Sequence, residues 1–255
     1  MKLIVTKDYE EMSKVAAKEI SDFINSKPEA VLGLATGGTP KGLYEELIEL
    51  NKHGIVDFSK VTSINLDEYI GLSGEHEQSY RYFMDHNLFN YINIDKSKTF
   101  VPNGLADDIE LECMEYDKKI AELGGIDLQL LGIGSNGHIG FNEPAEYLYM
   151  GTHQTILAKD TIEANSRFFK SIDEVPRKAI TMGIGGIMKA KKIVLLASGE
   201  NKAEVVKELV SGKITTEVPA SMLQMHRDVV IVIDEAAAKF VSLHSEDCIK
   251  SPSGF

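Results

Sequence analysis

Residues 128–144 read Leu-Gln-Leu-Leu-Gly-Ile-Gly-Ser-Asn-Gly-His-Ile-Gly-Phe-Asn-Glu-Pro. The first six form an apolar run of strand length, and the glycine-rich remainder cannot continue it. A buried strand that ends in a glycine-rich loop is where α/β proteins place ligand chemistry. This loop carries His138 and Glu143 together with the amides Asn136 and Asn142. Such a density of proton-transfer groups points to an enzyme.

Outward from that stretch, strand-like and helix-like segments alternate. Short apolar runs predict strands at 3–5, 31–35, 61–66, 99–101, 179–182, 193–197 and 229–233. Helical periodicity covers 8–23, 40–50, 79–89, 107–123 and 200–210. This order predicts a three-layer α/β/α fold, with a mostly parallel, doubly wound, Rossmann-like sheet and right-handed crossovers. No Pro/Gly/Ser-rich linker divides the 255 residues, so a single domain is expected. After the 61–66 strand, a polar loop runs to about residue 78. Residues 145–176 read as polar and irregular, suited to covering a site.

The formal net charge is −12 and no Lys/Arg block occurs, which argues against nucleic-acid and membrane-surface partners. No apolar stretch approaches the ~20 residues of a membrane helix, and the N-terminal apolar run is too short for a signal peptide. The two cysteines, Cys113 and Cys248, form no CxxC, which fits a reducing cytosol and a cytoplasmic protein. An acidic chain that binds an anion must gather its few cations locally.

Four places could carry chemistry. In 34–41, Thr36, Gly37, Gly38 and Thr39 lie between a strand and a helix, with Thr39 suited to cap the helix and Pro40 to begin it. Exposed backbone N–H groups there suit phosphate, although the Gly-Lys-Ser/Thr ending of a P-loop is missing. In 65–72, Asp67 and Glu68 are adjacent, so in extended chain only one faces a site and the other can cap a turn. Asp67 ends an apolar run, where desolvation makes a carboxylate a better base.

The third place is the opening loop. Gly132 to Gly137 matches G-x-G-x-x-G, but Gly140 and Pro144 follow too soon for the long helix a dinucleotide site requires. The glycines read better as hinges that let His138 and Glu143 converge, with Glu143 or Asn136 orienting the imidazole. The fourth is a pair of cations, Arg167 and Lys202. Arg grips phosphate bidentately and Lys acts as a point charge. No histidine pair or acidic cluster suggests a metal, and no G-x-S-x-G elbow marks a serine hydrolase.

Taken in order, Leu32-Gly-Leu-Ala-Thr-Gly-Gly-Thr-Pro40, Asn65-Leu-Asp-Glu-Tyr69, 132–144, Ala164-Asn-Ser-Arg-Phe-Phe169 and 198–203 resemble the glucosamine-6-phosphate deaminases, also called isomerase-deaminases. The resemblance implies a cofactor-free reaction of amino-sugar (N-acetylglucosamine) catabolism. Glucosamine 6-phosphate and water give fructose 6-phosphate and ammonia. It casts His138 as the ring-opening group, held by Asn136 and Glu143, and Asp67 as the base that enolises the open sugar. Thr36, Gly37, Gly38, Thr39, Arg167 and Lys202 would hold the phosphate. The nearest alternative is a 6-phosphogluconolactonase-like hydrolase, whose members share the glycine-threonine-proline loop but lack the Asn-Leu-Asp-Glu-Tyr and Phe-Asn-Glu-Pro blocks.

Two departures stand out. Many members carry Asp where this chain has Asn136, and an amide orients an imidazole without adding charge. Some members are activated by N-acetylglucosamine 6-phosphate through basic residues just after the Asn-Glu-Pro segment. Here 145–155 contains no Lys or Arg, so hyperbolic kinetics without activation are expected. The sequence leaves the oligomeric state open, a homo-oligomer included.

Overall fold

The computed structural model describes residues 1–166, 169–241 and 248–250. In chain order its first half comprises β1 (Lys2–Thr6), α1 (Tyr9–Ser26), β2 (Val31–Leu34), α2 (Lys41–Lys52), β3 (Thr62–Asn65), β4 (Asp67–Tyr69), α3 (Tyr80–Met84), β5 (Thr99–Phe100) and α4 (Ile109–Glu122). The second half comprises β6 (Leu128–Gly132), β7 (His153–Ile156), α5 (Lys159–Asn165), β8 (Lys178–Thr181), α6 (Ile184–Met188), β9 (Lys192–Ala197), α7 (Ala203–Leu209), β10 (Val229–Asp234) and β11 (Cys248–Lys250).

Eight strands form one sheet in the order β11-β1-β10-β9-β6-β2-β3-β5, and every pair is parallel. Strands such as β10, Val-Val-Ile-Val-Ile-Asp, are buried along their whole length. This is what a parallel sheet covered on both faces requires. From β2 the chain steps through α2 to β3 on one side, whereas from β6 it proceeds toward β9 on the other. The winding therefore reverses between β2 and β6, and their carboxyl ends open into a crevice. Asp8 caps α1 by accepting from Glu11 N at 3.0 Å, and Asp108 caps α4 by accepting from Leu111 N at 3.0 Å.

A second, three-stranded antiparallel sheet, β4-β8-β7, stands at the crevice. The chain leaves β3 and enters β4 with only Leu66 between them, and Met182 N donates to Leu66 O at 2.7 Å to fasten that corner. A small apolar cluster of Tyr69, Phe141, Leu157, Ile162, Val175 and Ala179 packs this unit.

Several expectations are corrected. Residues 179–182 are a strand as expected, but in the antiparallel sheet rather than the parallel one. The supposed loop after 66 begins with β4, and 145–176 contains β7 and α5. These pieces are too short for a period to register, and β7 alternates half-buried and exposed residues in the manner of an edge strand. Residues 79–89 are helical, but after Met84 the helix widens to i→i+5 bonding, with Asn90 N donating to Asp85 O. Asn87 Nδ2 and His86 Nδ1 engage the carbonyls of Phe83 and Tyr82 four residues back, and so compete with the regular ladder. Pro40 rather than Thr39 occupies the cap of α2, and it offers no side-chain bond. Residues 200–202 form a tight turn before α7. Among the described residues no helix is long and apolar enough to cross a membrane.

Candidate active site

At the carboxyl ends of β2, β3, β6 and β9 lies a cavity of about 200 Å³. Its lining brings together Thr36, Gly37, Gly38, Thr39, Asp67, Asn136, His138 and Lys202, eight of the ten residues singled out in the sequence. Glu143 stands behind His138. Arg167 lies outside the described residues.

The loop after β2 is braced from outside the cavity. Tyr44 Oη donates to Ala35 O at 2.5 Å, and Tyr9 Oη donates to Gly38 O at 3.2 Å while accepting from Gly42 N at 2.8 Å. Gly37 has φ +98°, a conformation that disfavours any side chain there. Lys202 reaches the cavity from the turn after β9. Asp234 at the end of β10 fixes that turn by accepting from Ser198 Oγ at 2.5 Å and from Gly199 N at 3.0 Å. The loop after β2 and Lys202 thus line the same cavity, a combination of backbone N–H groups and an ammonium that suits an anion.

Asp67 and Glu68 behave as adjacent residues of an extended strand should. Glu68 turns away and accepts from Tyr69 N at 2.8 Å, Tyr80 N at 2.9 Å and Arg81 N at 3.0 Å, holding the start of α3. Burial nevertheless pushes its carboxyl up to about 7, against the pull of those three N–H groups. Asp67 faces the cavity, and no hydrogen bond reaches its carboxylate among the described residues. Burial, with the neighbouring Glu68 charge second, pushes it up to about 8.

The histidine loop is built differently. His138 Nδ1 lies 2.7 Å from Asn136 Oδ1 and 3.2 Å from Glu143 Oε2. Both oxygens accept, so in the neutral imidazole the proton sits on Nδ1 and Nε2 carries the lone pair. Asn136 Nδ2 donates to Glu143 Oε2 at 2.8 Å, and Thr161 Oγ1 donates to Glu143 Oε1 at 2.5 Å. Burial alone would raise Glu143, but bonding and charge from His138, then Thr161 and Asn136, hold it down at about 2. Gly134 is required here because a Cβ on it would fall 2.3 Å from the His138 ring. Gly140, at φ +58°, brings the loop beside Asp67, where a Cβ would lie 3.6 Å from Oδ2. No helix follows the G-x-G-x-x-G match before β7, so that loop lacks the dipole end a dinucleotide fingerprint supplies.

Sequence reasoning missed Tyr80, Phe141, Thr161 and Asn165, which also line the cavity. Tyr80 and Phe141 stack at 5.9 Å, and Asn165 Nδ2 donates to Tyr69 Oη at 2.8 Å. Each is an ordinary residue in its local context, and only the tertiary fold turns it toward the crevice. Among the described residues no three His, Cys, Asp or Glu side chains converge as a metal would require.

Residues 7–232 match the family described as glucosamine-6-phosphate isomerases/6-phosphogluconolactonase. A glucosamine-6-phosphate deaminase of Clostridium perfringens (strain 13 / Type A) is 71% identical over 241 residues, covering 94% of this chain and 100% of that protein. The glucosamine-6-phosphate deaminase of Halothermothrix orenii is 54% identical over the same shares of the two chains. A solved structure described as a monomeric glucosamine-6-phosphate deaminase superposes with a TM-score of 0.92 at 49% identity, over 94% of this chain and 99% of that one. A 6-phosphogluconolactonase from Trypanosoma brucei shares the fold, with a TM-score of 0.73 at 18% identity over 94% of this chain and 98% of that one.

Proposed function

The chain belongs to the glucosamine-6-phosphate isomerase/6-phosphogluconolactonase family, and from that premise we propose that it converts glucosamine 6-phosphate and water to fructose 6-phosphate and ammonia. The observation that carries this reading is the buried Asp67 carboxylate, without a hydrogen-bond partner among the described residues and set in one cavity with His138, which Glu143 backs. Hydrolysis of a lactone needs an activated water but no base for a carbon acid. Isomerisation of an aldose needs such a base, and a carboxylate raised toward neutrality suits the task. The substrate amine, when protonated, also brings a cation to a carboxylate that has no cationic partner among the described residues, whereas a lactone does not.

In this mechanism His138 Nε2 takes the proton of the anomeric hydroxyl and delivers it to the ring oxygen, opening the pyranose. Asn136 and Glu143 hold the imidazole in the tautomer that leaves Nε2 free to accept. Asp67 then removes the proton from C2 and returns it to C1. The C1–C2 double bond of the enol intermediate becomes a C2 imine, to which water adds as ammonia leaves. Thr36, Gly37, Gly38, Thr39, Lys202 and Arg167 anchor the phosphate, and this remote anchor orients the reacting carbons. A cytoplasmic location and a role in amino-sugar breakdown belong to the same proposal.

The test is to follow ammonia and fructose 6-phosphate together from glucosamine 6-phosphate. Equal amounts of both are expected. A folded protein that releases no ammonia but hydrolyses 6-phosphogluconolactone would replace this reading with the lactonase.

A further inference from the structure

Glu143 has two carboxylate oxygens, and the sequence accounts for the use of only one. Oε2 meets His138 and Asn136, both on its own loop. Oε1 is taken by Thr161 Oγ1 at 2.5 Å, from a different element, α5. Thr161 is buried, with 5% of its surface exposed, and also lines the cavity. One turn further on, Asn165 donates to Tyr69 Oη at 2.8 Å. Positions four apart share a helix face, so α5 is fastened through one face at two points. One is the carboxylate behind the imidazole, and the other is the aromatic cluster beside Asp67.

We propose that Thr161 is a positioning residue for the ring-opening step, fixing the Glu143 carboxylate so that its other oxygen holds His138 in register. This rests on the deaminase reading above. A glutamate side chain has a freely turning terminal carboxylate. Held at Oε2 alone, it can rotate about its last bond and exchange the oxygen that faces the imidazole. A short donor at Oε1 removes that freedom. Neither contact needs Thr161 to touch the sugar, so its loss should act on turnover rather than on phosphate-anchored affinity.

Thr161→Val keeps the shape and deletes the hydroxyl, while Thr161→Ser keeps the hydroxyl and deletes the methyl. Steady-state kinetics on glucosamine 6-phosphate are measured for both beside wild type, with a melting curve for each. For Thr161→Val, kcat is expected to fall on the order of tenfold to a hundredfold, the scale of a hydrogen bond to a charged group, with KM within about twofold. Thr161→Ser is expected to recover most of the loss. Among the described residues, the charged or titratable groups that face Glu143 or its cavity are His138 on the same loop, Asp67 from β4 and Lys202 from the turn after β9, and all three are intact in both variants.

Wild-type kcat in Thr161→Val would overturn the proposal. So would an equal loss in Thr161→Ser, which would make the methyl packing the cause. A wild type inactive on the amino sugar would instead remove the functional reading, and this inference with it.

Discussion

Two buried carboxylates reach the crevice from the strands that flank β2, and their surroundings drive them in opposite directions. Asp67, just past β3, has no donor among the described residues, and burial lifts it to about 8. Glu143, in the loop after β6, is also largely buried but gathers His138, Asn136 and Thr161, and it is held at about 2. Burial opposes ionisation in both places, and the hydrogen bonds and charge around each carboxylate decide the sign. Pairs of titratable groups pushed apart in this way divide acid–base labour within one site. Here Asp67 can exchange a proton near working pH, while Glu143 stays a fixed negative charge behind an imidazole.

The largest effect should come from removing the raised partner. Asp67→Asn is expected to lower ammonia release by roughly 10²- to 10⁴-fold, the usual contribution of a positioned base. The same variant has a stability signature. In wild type the folded state keeps a proton on Asp67 that the unfolded chain loses above about pH 4. That contribution is therefore complete below the ordinary carboxylate value and is lost as pH rises through about 8. Relative to wild type, Asp67→Asn should gain stability steadily between those limits, as melting temperatures across pH 4–9 would reveal. A constant difference over that range would mean that Asp67 is not raised.

Glu143→Gln tests the other side. A carboxyl held at about 2 instead of its ordinary value stabilises the fold fully above about pH 4.5, and that stability disappears as pH falls through 2. Denaturant titrations should therefore show the wild-type advantage shrinking on acidification, with the neutral variant lacking this slope. Its turnover should fall roughly tenfold to a hundredfold, because the imidazole loses a charged acceptor.

Glu68→Gln should have a smaller effect that sharpens the comparison. It removes a like charge beside Asp67, so the acid limb of the kcat/KM profile should move to lower pH by less than a unit. Burial, the larger cause of the Asp67 shift, is untouched. An unmoved limb would mean that Glu68 is already neutral when Asp67 titrates. Finally, N-acetylglucosamine 6-phosphate should leave the rate curve hyperbolic and unchanged, since 145–155 contains no Lys or Arg. A sigmoidal curve that this sugar straightens would contradict that expectation.

Much of this arrangement was legible in the sequence, for definite reasons. Parallel strands such as β9 and β10 are apolar on both faces, so they register as unbroken runs. The loops after β2 and β6 carry glycines whose conformations or close contacts no other residue tolerates, as Gly37 and Gly134 illustrate. The antiparallel sheet was not legible. β4 has three residues and β7 four, and their pairing is fixed by β8, more than a hundred residues from β4 in the chain. Thr161 was hidden for the same reason, since its hydroxyl gains meaning only when α5 folds across the His138 loop. The site's phosphate end was read from backbone geometry and charge. The aromatic pair Tyr80 and Phe141 gave no local sign of facing a cavity.

The most direct test is a carbon-13 NMR titration of protein labelled at Asp and Glu carboxyl carbons, with Asp67→Asn and Glu143→Gln used to assign the two signals. The account predicts an aspartate signal with its midpoint near pH 8 that vanishes in Asp67→Asn, and a glutamate signal still ionised at pH 3 that vanishes in Glu143→Gln. Asp67 and Glu143 both titrating near pH 4 would contradict it.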